Sequence, residues 1–554
     1  MTLEKPGKVS RDPFPKLQQL KQVSGGKALA HALAAQGVTA VFGIPGTHNL
    51  AFYDALVEIP HIKHFSGRNE QGTAFMADGY SRASGQVGVC MSTTGPGALN
   101  MLGALGTSYS DSIPVLSIIS DVPSAYVGQE KGFFHECRDQ LKMFEPVVSW
   151  AHRINSVSSI PWAVREAFAR LCSGRPRPIV LEIPCDILDA TSDVIISGQE
   201  KPQPYSVDQT EITKAVELLQ TSSRPVIWAG GGAISSNAST ELIQLAKQLQ
   251  APVFTTVTGR GAIPDTHALG MGRTQLLPLA REYLANCDLL LAVGTRFPQL
   301  ETDDWSLRLP KTVIQIDLDP SEIGRNYPVS LGIIGDARKV LEQLCELVSD
   351  FGDRPDRSQE VSSLKKQILT NYRQRAPKTL QLIDTLRKAL PRDAIIVNDL
   401  TVAVYWGQVF FEVYEPRTYL YPAGFCTLGF GLPAAIGAKL ACPDRPVVMF
   451  AGDGGFLFNC QELATAAHYG VSVVSTVFND NAYGVLKPQQ VDRYGRNTDE
   501  VELTNPNFVE LAQSFGIKGE RVLSTEELGP ALTRGLKADQ PWVIEMPVTL
   551  PWPV

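Results

Sequence analysis

The sequence predicts an α/β protein of three domains, each built on a doubly wound parallel sheet. Apolar, β-branched runs alternate with helix-patterned runs along most of the chain, and residues 447–478 show this most clearly. There a strand, a helix closed by Gly470 and a second strand form a unit that requires a right-handed crossover and parallel strands. Two polar segments, 192–209 and 349–360, are predicted linkers that divide the 554 residues into three blocks.

The first block, residues 20–190, is predicted to be one domain. It opens with an amphipathic helix that ends at Gly37, and Glu70 lies at a later junction between a strand and a helix. Its strand-forming runs are TAVFGIPG, VGVCMSTTGPG, PVLSIISD and PIVLEIPCD. The residues before it, up to about residue 22, lack the apolar core of a signal peptide and are predicted to form a polar arm.

The central block, residues 205–348, and the third block, residues 375–550, show the same alternation. Strand-forming runs in the central block are RPVIWA, APVFTTV, CDLLLAV and TVIQID. Those of the third block are AIIVN, VVMF, VSVVSTVF and PWVIEMPV. Such runs alternating with helices favour a parallel sheet in each block.

Composition excludes several functional classes. A net charge of −7 gives no basic surface for nucleic acid or an anionic membrane, and no run of eighteen apolar residues exists to span a bilayer. The nine cysteines are scattered and include no CxxC pair. This usage argues against a zinc site or a disulfide framework and favours a reducing compartment, so we expect a cytoplasmic protein.

Two polar turns in the third block are predicted to meet. Asp453 lies in the turn GDGG after one strand, and Asn479-Asp480 follows the neighbouring strand. Each alone is an ordinary turn sequence. Because parallel strands bring their carboxyl ends to one edge of the sheet, the pair predicts a hard cation that bridges to a phosphate.

Three segments resemble one enzyme family. The turn GDG, twenty-four further residues and then NDNAYG resemble the cofactor motif of thiamine-diphosphate-dependent enzymes. The segments RNEQG, ADGYSRASG with TTGPGALN, and GFCTLGFGLPAAIGAKL resemble its acetolactate-synthase-like members. The resemblance covers nearly the whole chain, in the order pyrimidine-binding, central and diphosphate-binding domain. It implies thiamine diphosphate and Mg²⁺ as cofactors.

The resemblance gives Glu70 and the segment after Gly424 roles at the cofactor's pyrimidine ring. Glu70 matches the glutamate that bonds a ring nitrogen and moves its proton. By residue type alone it is a glutamate that favours a helix N-terminus, an effect worth under about 1 kcal/mol. Leu428 matches the apolar residue that enforces a bent cofactor, and the Cys426 carbonyl matches the acceptor for the exocyclic amine. Many relatives have glycine at the Cys426 position.

For the metal, the resemblance implies side-chain ligands from Asp453 and Asp480 and a backbone ligand from the Ala482 carbonyl. Relatives more often have asparagine where this chain has Asp480, so that position departs from the pattern. Diphosphate oxygens and water would complete the octahedral shell of Mg²⁺. The further residues assigned to cofactor binding are Thr401, Gly452, Gly454, Gly455, Tyr483 and Gly484.

Glu70 and the metal turn lie in different predicted domains. In the family the cofactor sits between the pyrimidine domain of one subunit and the diphosphate domain of another. The resemblance therefore implies a homo-oligomer, either a dimer or a dimer of dimers, with the active site at the subunit interface. The implied partner is a small 2-oxo acid.

The predicted reaction is decarboxylation of a 2-oxo acid through a C2 carbanion and an enamine intermediate, with release of an aldehyde. The alternative is an acetolactate-synthase-type carboligase that joins the enamine to a second carbonyl compound. A third hypothesis is a catalytically inactive homologue used for binding or regulation, against which the intact Glu70, Asp453 and Asp480 argue. The identity of the 2-oxo acid stays open.

Residues expected to face the substrate distinguish between these reactions. Thr47, His48 and His135 are the catalytic candidates besides Glu70, although His48 fits a solvated turn equally well. Two parts of the sequence resemble guanidino-2-oxo-acid decarboxylases: FHE with the DQ that follows it, and ETD. In contrast, Leu486 in AYGVLKPQQ resembles the acetolactate synthases, because pyruvate decarboxylases have a glutamate there.

Two features of the central block concern ligands. The segments GMGRTQLLPLARE and GTRFPQLETDDW depart from the FAD-binding segments of acetolactate synthases, so FAD is not expected, although the sequence does not exclude it. The acidic residues Glu301, Asp303 and Asp304 are predicted to form a solvated loop. The alternative is a receptor for a cationic substrate tail.

Overall fold

The computed structural model describes residues 17–198 and 206–553. Three six-stranded sheets, all with parallel neighbours, form the framework, and this confirms the predicted fold class. Short 3₁₀ helices occur at Glu145–Val147, Val157–Ser159, Pro320–Glu322, Val348–Phe351 and Asp499–Val501. No helix in these described ranges is both long and apolar enough to cross a membrane.

The first sheet has the strand order β3-β2-β4-β5-β7-β6 and lies in the amino-terminal domain. The strands of this domain are β1 (Gln18–Ser24), β2 (Ala40–Gly43), β3 (Lys63–Ser66), β4 (Gly88–Ser92), β5 (Val115–Asp121), β6 (Trp150–Arg153), β7 (Ile179–Pro184) and β8 (Thr191–Ile196). Its helices are α1 (Gly25–Ala35), α2 (Leu50–Leu56), α3 (Glu70–Ser84), α4 (Pro96–Asn100), α5 (Leu102–Asp111), α6 (Gln140–Phe144), α7 (Ile160–Cys172) and α8 (Cys185–Asp189).

The central sheet has the order β11-β10-β9-β12-β13-β14. Its strands are β9 (Pro225–Ala229), β10 (Val253–Thr255), β11 (Gly270–Gly272), β12 (Leu289–Val293), β13 (Thr312–Asp317) and β14 (Leu331–Ile334). The helices of this domain are α9 (Gln209–Thr221), α10 (Gly231–Ser235), α11 (Ser239–Leu249), α12 (Pro278–Ala285), α13 (Gln299–Thr302) and α14 (Ala337–Leu347).

The third sheet has the order β16-β15-β17-β18-β20-β19. Its strands are β15 (Ile395–Asn398), β16 (Tyr419–Leu420), β17 (Val447–Gly452), β18 (Val474–Asn479), β19 (Lys518–Arg521) and β20 (Trp542–Pro547). The helices of this part are α15 (Ser358–Arg375), α16 (Pro377–Ala389), α17 (Val402–Phe410), α18 (Gly431–Ala441), α19 (Asp453–Phe458), α20 (Glu462–Tyr469), α21 (Leu486–Tyr494), α22 (Phe508–Ser514) and α23 (Thr525–Lys537).

Both predicted linkers carry regular structure, so the linker predictions were partly wrong. Strand β8 overlaps the first and pairs antiparallel with β1, which overlaps the end of the predicted arm. The pairing buries Val194 and Ile196, which explains why a polar segment becomes a strand. Helix α15 begins at Ser358, inside the second linker. The rest of the arm, up to residue 16, and residues 199–205 lie outside the described residues.

The amino-terminal and third domains pack through α3 and α18. The two helix backbones touch, because Gly79 lies against the Ala434 carbonyl and Gly437 against the Met76 carbonyl, where a Cβ atom would clash. Apolar residues from both domains form one buried cluster beside this contact. The position of α3, which begins at Glu70, is thereby fixed relative to the loop that precedes α18.

Candidate functional site

The carboxyl ends of β17 and β18 form the first half of the site. The strands are parallel neighbours with Gly452 opposite Phe478, so the residues that follow them reach the same edge. The Ala482 N–H donates to Asp453 Oδ2 at 3.2 Å, and the Asp480 carboxylate lies against Gly484. The structure therefore brings together the three predicted metal-site residues. The predicted turn at GDGG differs, since Asp453 already begins α19.

Two carboxylates share this edge, and the electrostatics favour a cation there. Asp453 is buried, and burial raises the pKa of its carboxyl. Burial, and then the charge of Asp453, raise the pKa of Asp480 to about 6. Within the described ranges no group of three or more His, Cys, Asp or Glu side chains is placed to hold a metal. The two carboxylates suit Mg²⁺ only with further oxygens, from a carbonyl such as that of Ala482 and from a bound diphosphate.

The glycines of the metal turn pack closely against other predicted cofactor-binding residues. Each glycine of the turn packs against one of the other cofactor candidates, so that a Cβ atom would crowd the space between them. The contacts are Gly452 against Thr401, Gly454 against Tyr483 and Gly455 against Leu428. The predicted diphosphate-side residues thus surround one turn.

The segment between Tyr421 and Gly431 is held from both sides. Asp399, which is buried, accepts from the Gly431 N–H at 2.8 Å, and burial raises the pKa of its carboxyl to about 6. Asp111 of α5 accepts from the Gly424 N–H at 2.8 Å, and Arg82 of α3 donates to the Tyr421 carbonyl at 3.0 Å. The amino-terminal domain thus positions the segment that carries Leu428.

Cys426 adopts a left-handed backbone conformation with φ of +51°. Glycine adopts this conformation without strain, which explains why relatives tolerate glycine there. Its thiol donates to the Ala423 carbonyl at 3.3 Å. The thiol is therefore engaged within the protein, and the predicted contact with the cofactor's exocyclic amine is left to the Cys426 carbonyl.

Glu70 forms the second half of the site, at the N-terminus of α3. Asn69 caps the helix by accepting from the Gln71 N–H, so the first turn is ordered. Asn100, at the end of α4, donates from Nδ2 to Glu70 Oε2 at 2.9 Å. Gly97 of α4 lies against the other carboxylate oxygen. Asn100 was missed in the sequence, where it is only the last residue of GPGALN.

The three other catalytic candidates lie on turns near Glu70. His48 and His135 pack edge to face with ring centroids 5.7 Å apart, and the Nδ1 atom of each is buried without a hydrogen-bond partner. His48 is 7% exposed, so the alternative of a solvated turn residue was wrong for it. Burial, and then the neighbouring His135, lower the pKa of His48. Thr47, in contrast, is exposed.

Within one chain, Glu70 and the metal turn make no direct polar contact among the described residues, although residues beside Glu70 contact the third domain. Among the described residues, Glu70 forms no hydrogen bond or ion pair with Asp453, Asp480 or any other residue of the metal turn. Its carboxylate contacts Asn100 and Gly97 of helix α4. The neighbouring residues Asn69 and Gln71 contact Glu462 and Asn459 of the third domain.

Comparison with known proteins identifies three domains in the same order along the chain. Three family models match in chain order: the N-terminal thiamine pyrophosphate binding domain at residues 23–143, the central domain at 212–344 and the C-terminal thiamine pyrophosphate binding domain at 399–546. The chain belongs to the thiamine pyrophosphate enzyme family. The predicted resemblance is confirmed, and the two binding domains support the expectation of thiamine diphosphate.

Relatives of this thiamine pyrophosphate enzyme carry two different activities in their names. The probable acetolactate synthase large subunit of Methanocaldococcus jannaschii is 36% identical over 95% of this chain and 92% of its own. The probable 2-ketoarginine decarboxylase of Pseudomonas aeruginosa is 36% identical over 96% and 95%. The acetolactate synthase isozyme 3 large subunit of Escherichia coli is 33% identical over 94% and 93%.

A cavity of about 1610 Å³ lies where the three domains of this thiamine pyrophosphate enzyme meet. Glu301 and Asp303 line it, but their charges are matched: Arg273 pairs with Glu301 at 3.0 Å and Arg281 with Asp303 at 2.9 Å. Asp304 accepts from Gln299 at 2.6 Å. Glu301 is buried, so the predicted solvated loop was wrong at this residue, and the cluster offers little free charge to a cationic substrate.

A buried polar network, which the sequence did not indicate, supports the turn before α4. Gln140 Oε1 accepts from the Gly95 N–H at 2.6 Å, and its Nε2 donates to Glu182 Oε2 at 3.2 Å. Arg153 pairs with the other oxygen of Glu182. Gly95 has φ of +65° and packs against the His135 carbonyl. The network therefore connects the sheet both to helix α4, which contacts Glu70 through Asn100, and to His135.

The same network predicts a pH-dependent stability. Burial, and then Asp121, raise the pKa of Glu182 to about 7, above the ordinary value of 4.5. The folded protein thus holds this proton more tightly than the unfolded chain. Its stabilising contribution is present below about pH 4.5 and is lost as the pH rises to about 7. Between about pH 5 and pH 8, the wild type should lose roughly 2 kcal/mol of folding stability through this proton, and its thermal midpoint should fall. We expect the thermal midpoint of Glu182→Gln to fall less over the same range.

Thermal scans of both proteins across this range measure the effect. Glu166→Gln is the matched control, because Glu166 is a surface residue that pairs with Arg170. Parallel pH profiles for wild type and Glu182→Gln would contradict the assignment of this proton to Glu182.

Proposed function

We propose that the protein decarboxylates a 2-oxo acid with thiamine diphosphate and Mg²⁺ and releases an aldehyde. The observation that carries the choice is the pair His48 and His135. Their buried, unbonded Nδ1 atoms lie beside the turns that support Glu70. Aldehyde release requires a proton after loss of CO₂, and imidazole nitrogens are suited to deliver it. The name of the Pseudomonas relative supports the same choice.

Glu70 holds and moves a proton at its carboxyl group. The Asn100 amide fixes one oxygen, which leaves the other free to exchange a proton with the aminopyrimidine ring. When bound, thiamine diphosphate supplies the carbon nucleophile and the electron sink that decarboxylation needs. Leu428 and the Cys426 carbonyl would hold the pyrimidine end, while His48 and His135 deliver the proton to the product. The exposed Thr47 hydroxyl lies beside this pair and would contact the substrate.

The metal would lie at the edge of the third sheet. Asp453, Asp480 and the Ala482 carbonyl would supply hard oxygens, and a bound diphosphate would supply the others. The second carboxylate, in place of the asparagine of relatives, adds a negative charge. We expect it to strengthen the attraction for the cation.

The complete site requires two subunits. The family resemblance implies this arrangement, and exposed apolar side chains beside both halves support it. Phe134 is 61% exposed beside His135, and Leu486 is 41% exposed after the metal turn. A second copy of the chain would cover both faces and complete two sites about a two-fold axis. We propose a dimer, or a dimer of dimers, in the cytoplasm.

The carboligase is the second candidate. Leu486 follows the metal turn as in acetolactate synthases, and two of the relatives described above carry that name. Such an enzyme needs space for a second carbonyl compound instead of a proton donor. The product of the reaction separates the two candidates.

Glu70→Gln tests the shared chemistry. Glutamine keeps the size and the contact with Asn100 but cannot exchange the proton. We expect CO₂ release to fall by at least about 100-fold, because general acid–base groups contribute about 10²–10⁴-fold. Cofactor affinity, measured by fluorescence titration, should change little.

The matched control is Glu58→Gln, since Glu58 is an exposed glutamate of the same domain that pairs with Lys27. It should retain full activity. A Glu70→Gln variant that releases CO₂ at the wild-type rate would refute the assignment of Glu70.

Product analysis with a panel of 2-oxo acids, thiamine diphosphate and Mg²⁺ distinguishes the two reactions. We expect an aldehyde as the main product, and a colourless protein, since the central segments depart from the FAD-binding pattern. His48→Phe should lower aldehyde formation by about 10-fold or more, because it removes a proton donor. Acetohydroxy acids as the main product, or a yellow protein that releases FAD, would instead favour the carboligase.

A further inference from the structure

Asn505 lies against the metal turn, although it is distant from that turn in sequence. Its Nδ2 donates to Asp453 Oδ2 at 2.6 Å and to Asn479 Oδ1 at 3.1 Å. The Asn481 Oδ1 atom is 3.3 Å away. Three acceptors thus surround one amide nitrogen, and one of them belongs to the carboxylate proposed to bind the metal.

Neighbouring hydrogen bonds fix the direction of the Asn505 amide. Asn479 Nδ2 donates to Glu545 at 2.9 Å, so the oxygen of Asn479 must face Asn505. The Leu503 N–H donates to the Asn481 carbonyl at 2.7 Å, which holds the Asn505 segment against the turn. A reversed amide would place its oxygen against these acceptor oxygens. The nitrogen therefore faces these three acceptor oxygens.

The Asn505 Oδ1 atom is buried and has no hydrogen-bond partner. An unsatisfied buried acceptor costs about 1–3 kcal/mol, so a donor is expected at this position. A diphosphate offers only acceptor oxygens near neutral pH and cannot fill this role. Water bound to a cation is a strong donor, and amides commonly support metal sites from this outer position.

We propose that Asn505 is a positioning residue of the metal site: its Nδ2 orients the Asp453 carboxylate and its Oδ1 accepts a hydrogen bond from a water molecule on the metal. This inference rests on the proposed Mg²⁺ site at Asp453 and Asp480. It assigns to the segment between α21 and α22 a part in metal affinity.

The test is a titration of the whole protein with Mn²⁺, in place of Mg²⁺, at saturating thiamine diphosphate, followed by electron paramagnetic resonance. Asn505→Ala should weaken Mn²⁺ affinity by about 10-fold or more, as for other outer-position partners. Asn505→Asp keeps an acceptor for the water and should bind Mn²⁺ more tightly than Asn505→Ala. The thermal midpoints of the cofactor-free variants show whether each protein is folded.

Asn507→Ala is the matched control. Asn507 lies in the same segment but caps α22 by accepting from the N–H groups of Val509 and Glu510. Its removal should lower the thermal midpoint and leave Mn²⁺ affinity unchanged.

Several outcomes would overturn the proposal. If folded Asn505→Ala binds Mn²⁺ like the wild type, the residue has no part in the metal site. If Asn505→Asp binds no better than Asn505→Ala, the acceptor role is wrong. If the wild type binds no Mn²⁺ in the presence of thiamine diphosphate, the proposed metal site itself fails, and this inference fails with it.

Discussion

The contact between α3 and α18 is the constraint on which the site depends. Gly79 and Gly437 allow the helix backbones to touch, and a side chain at either position would push the helices apart. One helix begins at Glu70, and the other follows the segment that carries Leu428. This packing therefore sets the distance between the two halves of the site in each chain, and Arg82 and Asp111 reinforce it from the amino-terminal domain.

The charges at the edge of the third sheet explain why cofactor and metal should bind together. Asp453 and Asp480 raise the cost of each other's negative charge, and two carboxylates alone are too few ligands for Mg²⁺. A bound diphosphate would supply the missing oxygens, and the metal would neutralise the charge of the carboxylates and the diphosphate. Glu462 links this half to the other in the same chain, because its buried carboxylate accepts from the N–H of Asn69, beside Glu70.

The sequence allowed the fold class and the main site residues to be predicted, since both depend on local patterns. Alternating strand and helix runs predict parallel sheets, and the turns at Asp453 and Asp480 must meet because their strands are neighbours. Gln140 and Asn505 could not be found in this way. Gln140 bonds Gly95 across 45 residues and Asn505 bonds Asp453 across 52, through loops whose course no periodic pattern specifies. Strand β8 was missed because its partner β1 is distant in sequence. Gln22 of β1 and Asp193 of β8, which are in contact, are separated by 171 residues.

In the proposed dimer, each site would combine Glu70 of one subunit with Asp453 of the other. Glu70→Gln and Asp453→Asn subunits can be combined either by mixing them unfolded or by subunit exchange. The rate of CO₂ release by the mixture then tests this arrangement directly. A shared site predicts that the mixture regains about a quarter of wild-type activity, because half of the dimers are mixed and each contains one intact site. Each variant alone should be nearly inactive. A mixture as inactive as its separate components, with mixed dimers shown to form, would contradict the claim.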